Sequence, residues 1–223
     1  CYYYTSFSHQ KIEIQSFCIM QEINAIKILQ ENLKFTDNSI TKLKSFREKL
    51  IIANQNHNFI SKNTENDIWV RHILDSAQLV KFIDFNNGSL SDLGTGAGFP
   101  GIVLAIFNEN KDFHVKLYEK SPVKRKFLDK IIRDLNIKAT VKENIYEQEL
   151  QSNVIVCRAF KKLDQVIQVS REIIKKSHKL IILKGQNAQE EVNNAFKNYK
   201  YPYKLEKSIT DSDSRIIIIQ IDK

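Results

Sequence analysis

Cysteine is scarce: Cys1, Cys18 and Cys157 are the only three in 223 residues, and they are widely scattered. Three thiols at such spacing build neither a disulfide framework nor a zinc site, so a reducing, cytoplasmic setting is expected. Long apolar runs are absent as well. Nothing approaches the roughly 18 residues that a membrane span needs, and no signal-peptide pattern is present. Neither an internal repeat nor a low-complexity segment occurs. Glycine is also rare, yet four of the six glycines fall between Gly94 and Gly101. The single methionine is Met20. Before it, Cys1-Tyr2-Tyr3-Tyr4-Thr5-Ser6-Phe7 shows no helical or strand period, so residues 1–19 are expected to be a non-native or disordered leader.

What is present in excess is positive charge. Thirty-four Lys and Arg against 26 Asp and Glu give a formal net charge of +8. Such a balance favours a polyanionic partner such as nucleic acid, with simple solubility as the bland alternative. Hydrophobic content of 42% and charged content of 27% suit one globular domain with a small extension.

Apolar residues recur at helical spacing through Ile23, Ile26, Leu29 and Leu33, then through Ile40, Leu43, Phe46 and Leu50. Thr36-Asp37-Asn38-Ser39 between them reads as a break and a helix cap. Residues 20–66 therefore form a helical N-terminal extension. A further helix is expected over Asp67–Phe82. Beyond Gly88, strand candidates (Leu90–Leu93, Val115–Glu119, Ala139–Lys142, Val154–Cys157, Leu180–Leu183) alternate with helical patterns (Gly101–Phe107, Val123–Leu135, Leu163–Lys175, Ala188–Tyr199). That alternation means parallel pairing through right-handed crossovers, an α/β doubly wound sheet. Tyr203–Ile209 and Ile216–Ile221 have no room for a crossover helix between them, so they pair antiparallel or lie apart. A seven-stranded, mostly parallel sheet finished by an antiparallel terminal strand resembles the class I (Rossmann-like) methyltransferases.

The first strand runs into Asp92-Leu93-Gly94-Thr95-Gly96-Ala97-Gly98. Missing side chains at Gly94, Gly96 and Gly98 allow a sharp turn and close approach to a ligand beyond the strand ends. Glu119 ends the second strand, and its two oxygens suit a ribose diol. Gly96-x-Gly98-x-x-Gly101 also spells the dinucleotide fingerprint, so a nicotinamide-dependent oxidoreductase competes with a methyltransferase. Asp92 is expected to accept hydrogen bonds near a cationic methionine moiety.

Asp92-Leu93-Gly94-Thr95-Gly96-Ala97-Gly98-Phe99-Pro100-Gly101 closely resembles the bacterial ribosomal RNA small-subunit methyltransferase G family, also called glucose-inhibited division protein B. Arg71-His72-Ile73-Leu74-Asp75-Ser76, Lys124-Arg125-Lys126-Phe127-Leu128, Arg158-Ala159-Phe160 and Leu183-Lys184-Gly185-Gln186 extend the likeness from about Asn54 to the C-terminus. The resemblance implies transfer of methyl from S-adenosylmethionine to N7 of a guanine in 16S ribosomal RNA by residues 67–223. It places Gly94, Phe99, Glu119, Ile145, Tyr146 and Arg158 at the cofactor. Asn58 survives from the family's Asn-Leu-Thr as a substrate-side candidate; Arg71 and His72 on their helix and Lys184 at a strand end are further candidates for RNA contact, with a packing histidine and a solvated loop lysine as the bland alternatives. The family's frequent acid at the position of Tyr146 is missing here, and its Trp-Asn-Lys reads Ala53-Asn54-Gln55.

Guanine N7 carries a free lone pair and needs no deprotonation, so proximity and alignment suffice and no catalytic residue is required. Arg158 and His72 are the candidates for any direct role. Cys157, followed by arginine rather than flanked by proline, reads as a small buried residue and not a nucleophile. His72 and Asp75, three apart, share a helix face. Lys120, Lys124, Arg125, Lys126, Lys130 and Arg133 form a basic stretch that is either a solvated face or an RNA contact. A monomer without membrane contact or metal is expected, bound to ribosomal RNA or the small subunit. A non-catalytic RNA-binding assembly factor that retains the cofactor fold is the other class of function.

Overall fold

The computed structural model describes residues 18–147 and 150–222. Most of the expected leader, residues 1–17, thus lies outside the described residues, while residues 18–31 form helix α1. Helix α2 (Asp37–Asn54) starts at Thr36, whose hydroxyl accepts from the Ser39 N–H, so the cap read from the sequence is in place. The buried side of α2 carries Ile40, Leu43, Phe46 and Leu50. These residues do not form a core of their own. They join one cluster with Ile102, Val115 and Leu128 of the α/β sheet layer. Ser39 Oγ donates to the Ile106 carbonyl at 3.1 Å, and Lys49 pairs with Asp134 at 2.8 Å, fixing the helices to that layer.

Helix α3 is irregular. Ile68–Leu74 is π-helical, Asp75–Ala77 is α-helical and Gln78–Phe82 is 3-10. The Asp75 N–H reaches back to the Val70 carbonyl, five residues away, which widens the turn. The α/β alternation follows with β1 (Ser89–Leu93), α4 (Gly101–Phe107), β2 (His114–Tyr118), α5 (Pro122–Asp134), β3 (Ala139–Lys142), β4 (Val154–Arg158), α6 (Leu163–Ile173), β5 (His178–Lys184) and α7 (Ala188–Ala195). Strands β6 (Tyr203–Lys207) and β7 (Arg215–Ile221) close the chain.

The sheet has seven strands in the order β3-β2-β1-β4-β5-β7-β6. The pairings from β3 to β5 are parallel, and β7 runs antiparallel to both β5 and β6. The reversed strand is therefore inserted inside the sheet, not laid at its edge. Its unbroken Ile216-Ile217-Ile218-Ile219 fits a strand covered on both faces. Strand order reverses between β1 and β4, which opens a crevice beyond their carboxyl ends.

Strand β1 occupies the centre although it reads Ser-Leu-Ser-Asp-Leu, and all five residues are buried. Its hydroxyls are satisfied internally: Ser152 Oγ lies 3.2 Å from Ser89 Oγ and 2.7 Å from Ser91 Oγ. Several sequence boundaries shift, β5 for one running over His178–Lys184 and not Leu180–Leu183. Helix α7 stops at Ala195 and not at Tyr199, and α6 stops at Ile173. Strand β6 stops at Lys207 because Gln78 captures the next two residues, donating to Ser208 Oγ and accepting from the Ile209 N–H.

Because α2 shares the core of the sheet layer, Leu43→Ala should cost about 2–5 kcal/mol. Urea unfolding followed by tryptophan fluorescence and by circular dichroism should still give coincident single transitions. Two separated transitions would show that the N-terminal helices fold independently.

Candidate active site

The glycine loop leaves β1 at the point where strand order reverses. Gly94, Gly96 and Gly98 all have positive φ, at 71°, 59° and 107°, a region costly for other residues. The Gly94 and Thr95 N–H groups donate to the Tyr118 carbonyl, and the Gly96 N–H donates to Glu119 Oε2 at 3.0 Å. The three glycines serve different ends. A Cβ at Gly94 would lie 2.6 Å from the Phe160 ring, so this glycine lets Phe160 close over the loop. A Cβ at Gly98 would lie 2.6 Å from Ile102, so Gly98 serves inward packing and not the cleft. At Gly96 only the Gly94 carbonyl oxygen comes within reach, at 3.9 Å, so its surroundings are open.

A cavity of about 270 Å³ lies beside this loop, with Gly94, Glu119, Glu143, Ile145, Tyr146 and Phe160 in its walls. Four of the residues expected at the cofactor therefore meet in one place. Glu119 Oε1 accepts from the Ser121 N–H at 2.8 Å, so both carboxylate oxygens are braced by backbone. Each oxygen still has a second lone pair for a hydroxyl donor. Ile145 and Phe160 supply apolar walls suited to a flat aromatic ring, and exposed Tyr146 adds its own ring at the rim.

Asp92 departs from expectation. It is fully buried, its Oδ2 accepts from the Gly101 N–H at 2.8 Å, and it braces the loop from below. Burial pushes its carboxyl up to about 7, against the pull of the Thr95 hydroxyl and the Gly101 N–H. Neither the Thr95 hydroxyl nor Asp92 Oδ1 completes a well-formed hydrogen bond.

Arg158, at the end of β4, does not line the 270 Å³ cavity. Its Nη1 donates to the Arg71 carbonyl at 2.9 Å and to Asp75 Oδ2 at 3.3 Å. Its Nη2 lies 2.6 Å from His72 Nδ1, and its guanidinium sits over the Phe99 ring at 5.4 Å. Phe99 is also buried away from the cavity, stacked on His72 at 5.0 Å and tilted against Phe46 at 5.3 Å. Because arginine only donates, His72 Nδ1 accepts, which leaves Nε2–H to donate to Thr64 Oγ1 at 3.0 Å. Burial, then Arg158 and Arg71, lower His72 to about 3, so it is neutral and has no base strength to offer. The imidazole thus meets Arg158 as a neutral hydrogen-bond acceptor. Asp75 is held above the usual carboxylate range by burial, in spite of Arg158.

Lys184 lines a further cavity with Asp75 and Arg158. Its Nζ donates to the Lys161 carbonyl at 2.8 Å and pairs with Glu191 at 2.7 Å, so this cation is committed internally. Arg71 is exposed. Asn58 stands apart from the glycine loop, in an open groove with Lys62 and Lys124. Asn54 holds that segment, accepting from the Phe59 and Ile60 N–H groups and donating to Glu65. Of the basic stretch, Arg125 pairs with Glu143 and Lys130 with Asp134, while Lys120, Lys126 and Arg133 project outward. Cys157 is buried and its thiol pushed up to about 12 by that burial, which removes it as a nucleophile. Among the described residues no cluster has the composition of a metal site.

Residues 39–217 match the family described as rRNA small subunit methyltransferase G. The chain is 35% identical over 207 residues to a ribosomal RNA small subunit methyltransferase G of Pelagibacter ubique, spanning 90% of this chain and 97% of that one. A relative of the same description in Rickettsia felis is 36% identical over 180 residues, 80% of this chain and 91% of that one. Among solved structures, precorrin-6y C5,15-methyltransferase of Geobacter metallireducens has a TM-score of 0.51 at 11% identity, covering 66% of this chain and 87% of that one. A SAM-dependent methyltransferase of Aquifex aeolicus has a TM-score of 0.51 at 12% identity, covering 66% and 88%. At such identity these two establish the fold alone.

The state of His72 has a measurable consequence. Unfolded, it takes a proton as pH falls through 6.5; folded, it stays neutral down to about 3. The unfolded state then binds more protons, so stability falls as pH drops below 6.5, by about 1–2 kcal/mol at pH 5. In His72→Gln that part of the pH dependence should vanish when urea midpoints at pH 5 and pH 7.5 are compared. An unchanged difference between the two pH values would show that His72 is protonated in the folded protein.

Proposed function

The chain belongs to the rRNA small subunit methyltransferase G family, and on that premise we propose that it moves a methyl group from S-adenosylmethionine to N7 of a guanine in 16S ribosomal RNA. The observation that carries the reading is the cavity at the strand-order switch, where Glu119 faces apolar walls beside the glycine loop. A carboxylate with spare lone pairs suits the ribose diol, and Ile145, Tyr146 and Phe160 suit the adenine ring. The open space at Gly96 leaves room for a ligand over the loop backbone.

Bound S-adenosylmethionine supplies an electrophilic methyl group on a sulfonium sulfur. The residues of this chain then have three tasks, and none is proton abstraction. Glu119 and the glycine loop orient the donor. Arg158, held by Asp75 and His72, shapes the floor on the other side of the β4 end. The buried core beneath excludes water, and alignment accounts for the rate. A neutral His72 and a protonated Cys157 agree with a nucleophile that brings its own lone pair. RNA approaches over Arg71, Lys120, Lys126, Arg133 and the Asn58 groove, where phosphate contacts supply salt-dependent affinity. No helix among the described residues is long and apolar enough to cross a membrane. We place the protein in the cytoplasm as a monomer, with the small subunit or its RNA as substrate.

Incubation of small subunits with the protein and methyl-labelled donor should put label on one guanine, read as 7-methylguanosine by mass spectrometry of nuclease fragments. Unlabelled RNA would favour a non-catalytic assembly factor instead. Glu119→Gln should weaken donor binding at least about 10-fold by equilibrium dialysis, since a good charged hydrogen bond is worth about 1.5–3 kcal/mol. Cys157→Ala should retain methyl transfer within about 2-fold. Complete loss of transfer in a folded Cys157→Ala protein would point to covalent catalysis through sulfur.

A further inference from the structure

A second cavity, of about 210 Å³, opens at the β4 end and shares no lining residue with the one that holds Glu119. Asp75, Arg158, Leu183, Lys184, Gly185 and Ser214 line it, the Lys184 ammonium being taken up by the Lys161 carbonyl and Glu191. Ala159 faces this cavity whereas the next residue, Phe160, faces the first one. The turn that sends consecutive side chains to the two sides has φ of 49° at Ala159, a left-handed conformation rare outside glycine. The two cavities thus adjoin at the carboxyl end of β4.

The polar groups in the second cavity have a definite sequence. Arg158 has five N–H donors, of which Nη1 uses two and Nη2 uses one, on Arg71, Asp75 and His72. The N–H at Nε and the remaining one at Nη2 have no partner among the described residues. Asp75 Oδ1 accepts from Gln78 at 2.9 Å and from Thr210 at 3.0 Å, while Oδ2 accepts only from Arg158, at 3.3 Å. The wall therefore presents a donor next to an acceptor, both with capacity left. Guanine presents the complementary order on adjacent atoms, O6 as acceptor and N1–H as donor. Adenine reverses it, with a 6-amino donor beside an N1 acceptor. This cavity is smaller than the one proposed for the donor, as a single flat base drawn out of its stack is smaller than the donor.

We propose that this cavity seats the target guanine, with Arg158 donating to O6 and Asp75 accepting from N1–H, and that Asp75 is a specificity-determining residue. The inference rests on the guanine methylation argued above. N7 is left free to attack the donor methyl: the N7–C bond forms as the C–S bond breaks, and the bonding pair stays on sulfur. No proton moves. Positive charge passes from sulfur to the purine, where the Asp75 carboxylate on N1–H favours the cationic product. Arg158 on O6 opposes it, so its share is orientation.

The test pairs protein and base substitutions. Small subunits reconstituted with guanine or 2-aminopurine at the target position are both substrates in principle, because both retain N7. 2-Aminopurine lacks O6, and its N1 is an acceptor. Wild-type protein should prefer guanine at least about 10-fold in kcat/KM. Asp75→Asn, which offers an amide N–H to that N1, should shrink this preference to about 3-fold or less. Equal slowing on both RNAs would overturn the proposal, since Asp75 would then only hold Arg158.

Gly185→Val provides a route that leaves the Asp75 network untouched. Gly185 lines the cavity and a Cβ there meets nothing within 4 Å, so valine adds bulk at the cavity without a clash at Cβ. It should lower kcat/KM for RNA at least about 10-fold, with donor affinity by equilibrium dialysis and the melting temperature unchanged. Full activity in Gly185→Val would also overturn the proposal. Wild-type protein inactive on both RNAs would instead refute guanine methylation itself.

Discussion

The Arg158 guanidinium is the joint on which the two sides of the cleft depend. One cation satisfies a main-chain carbonyl at Arg71, a carboxylate at Asp75 and a ring nitrogen at His72, and it covers the face of Phe99. A planar fork does this where a lysine ammonium would not, because the angles between its donors are fixed. Burying such a charge is tolerable only when its partners are in place. The partners come from helix α3, whose π-helical turn aims both His72 and Asp75 at β4. They in turn are held by the segment around Thr64 and by the β6–β7 loop through Thr210. Segments far apart in the chain are thus tied to one side chain at the end of a central strand.

Much of this architecture is legible in the sequence, for reasons that differ by element. The order of strands and helices follows from apolar period, and the reversed strand follows from a linker too short for a crossover. The glycine loop and Glu119 are legible because backbone approach and a two-oxygen acceptor demand those residue types. Spacing also places His72 and Asp75 on one face, and both do reach Arg158. What spacing could not show is charge state. His72 stands three residues from Asp75 and invites the reading of a base, yet the donor facing it is Arg158, 86 residues away in sequence. Lys184 is similar: its position at a strand end suggests a ligand contact, but Glu191 on α7 folds back to neutralise it.

Phe99 and Asp92 show a different limit. Both sit in the motif that names the family, and both point away from the cavity. Asp92 accepts from the Gly101 N–H beneath the loop, and Phe99 fills the space between His72 and Phe46. A motif records what a loop needs to keep its shape as well as what it touches. The residues that do line the cavity include Glu143, which carries no motif signal, and Phe160, which stands in the Arg158-Ala159-Phe160 match without any sign of its place over the glycine loop. Only the collision that a Cβ at Gly94 would make with Phe160 reveals the pairing, and that is a three-dimensional fact.

The electrostatics of the two cavities answer to one feature of the proposed chemistry: a single positive charge that is relocated and never created. A site for such a reaction needs no base, but it must not make the charge harder to place on the acceptor side. Arg158 alone would do that, standing at the end of β4 with donors to spare. Asp75 offsets it at 3.3 Å, while His72, the nearest titratable neighbour, is kept neutral by burial and by Arg158 itself. The opposition of the cation that fixes the geometry is thereby reduced, and this gives a reason for an arginine at the end of β4 to be accompanied by a carboxylate and an uncharged imidazole, while the nearby Lys184 is paired with Glu191.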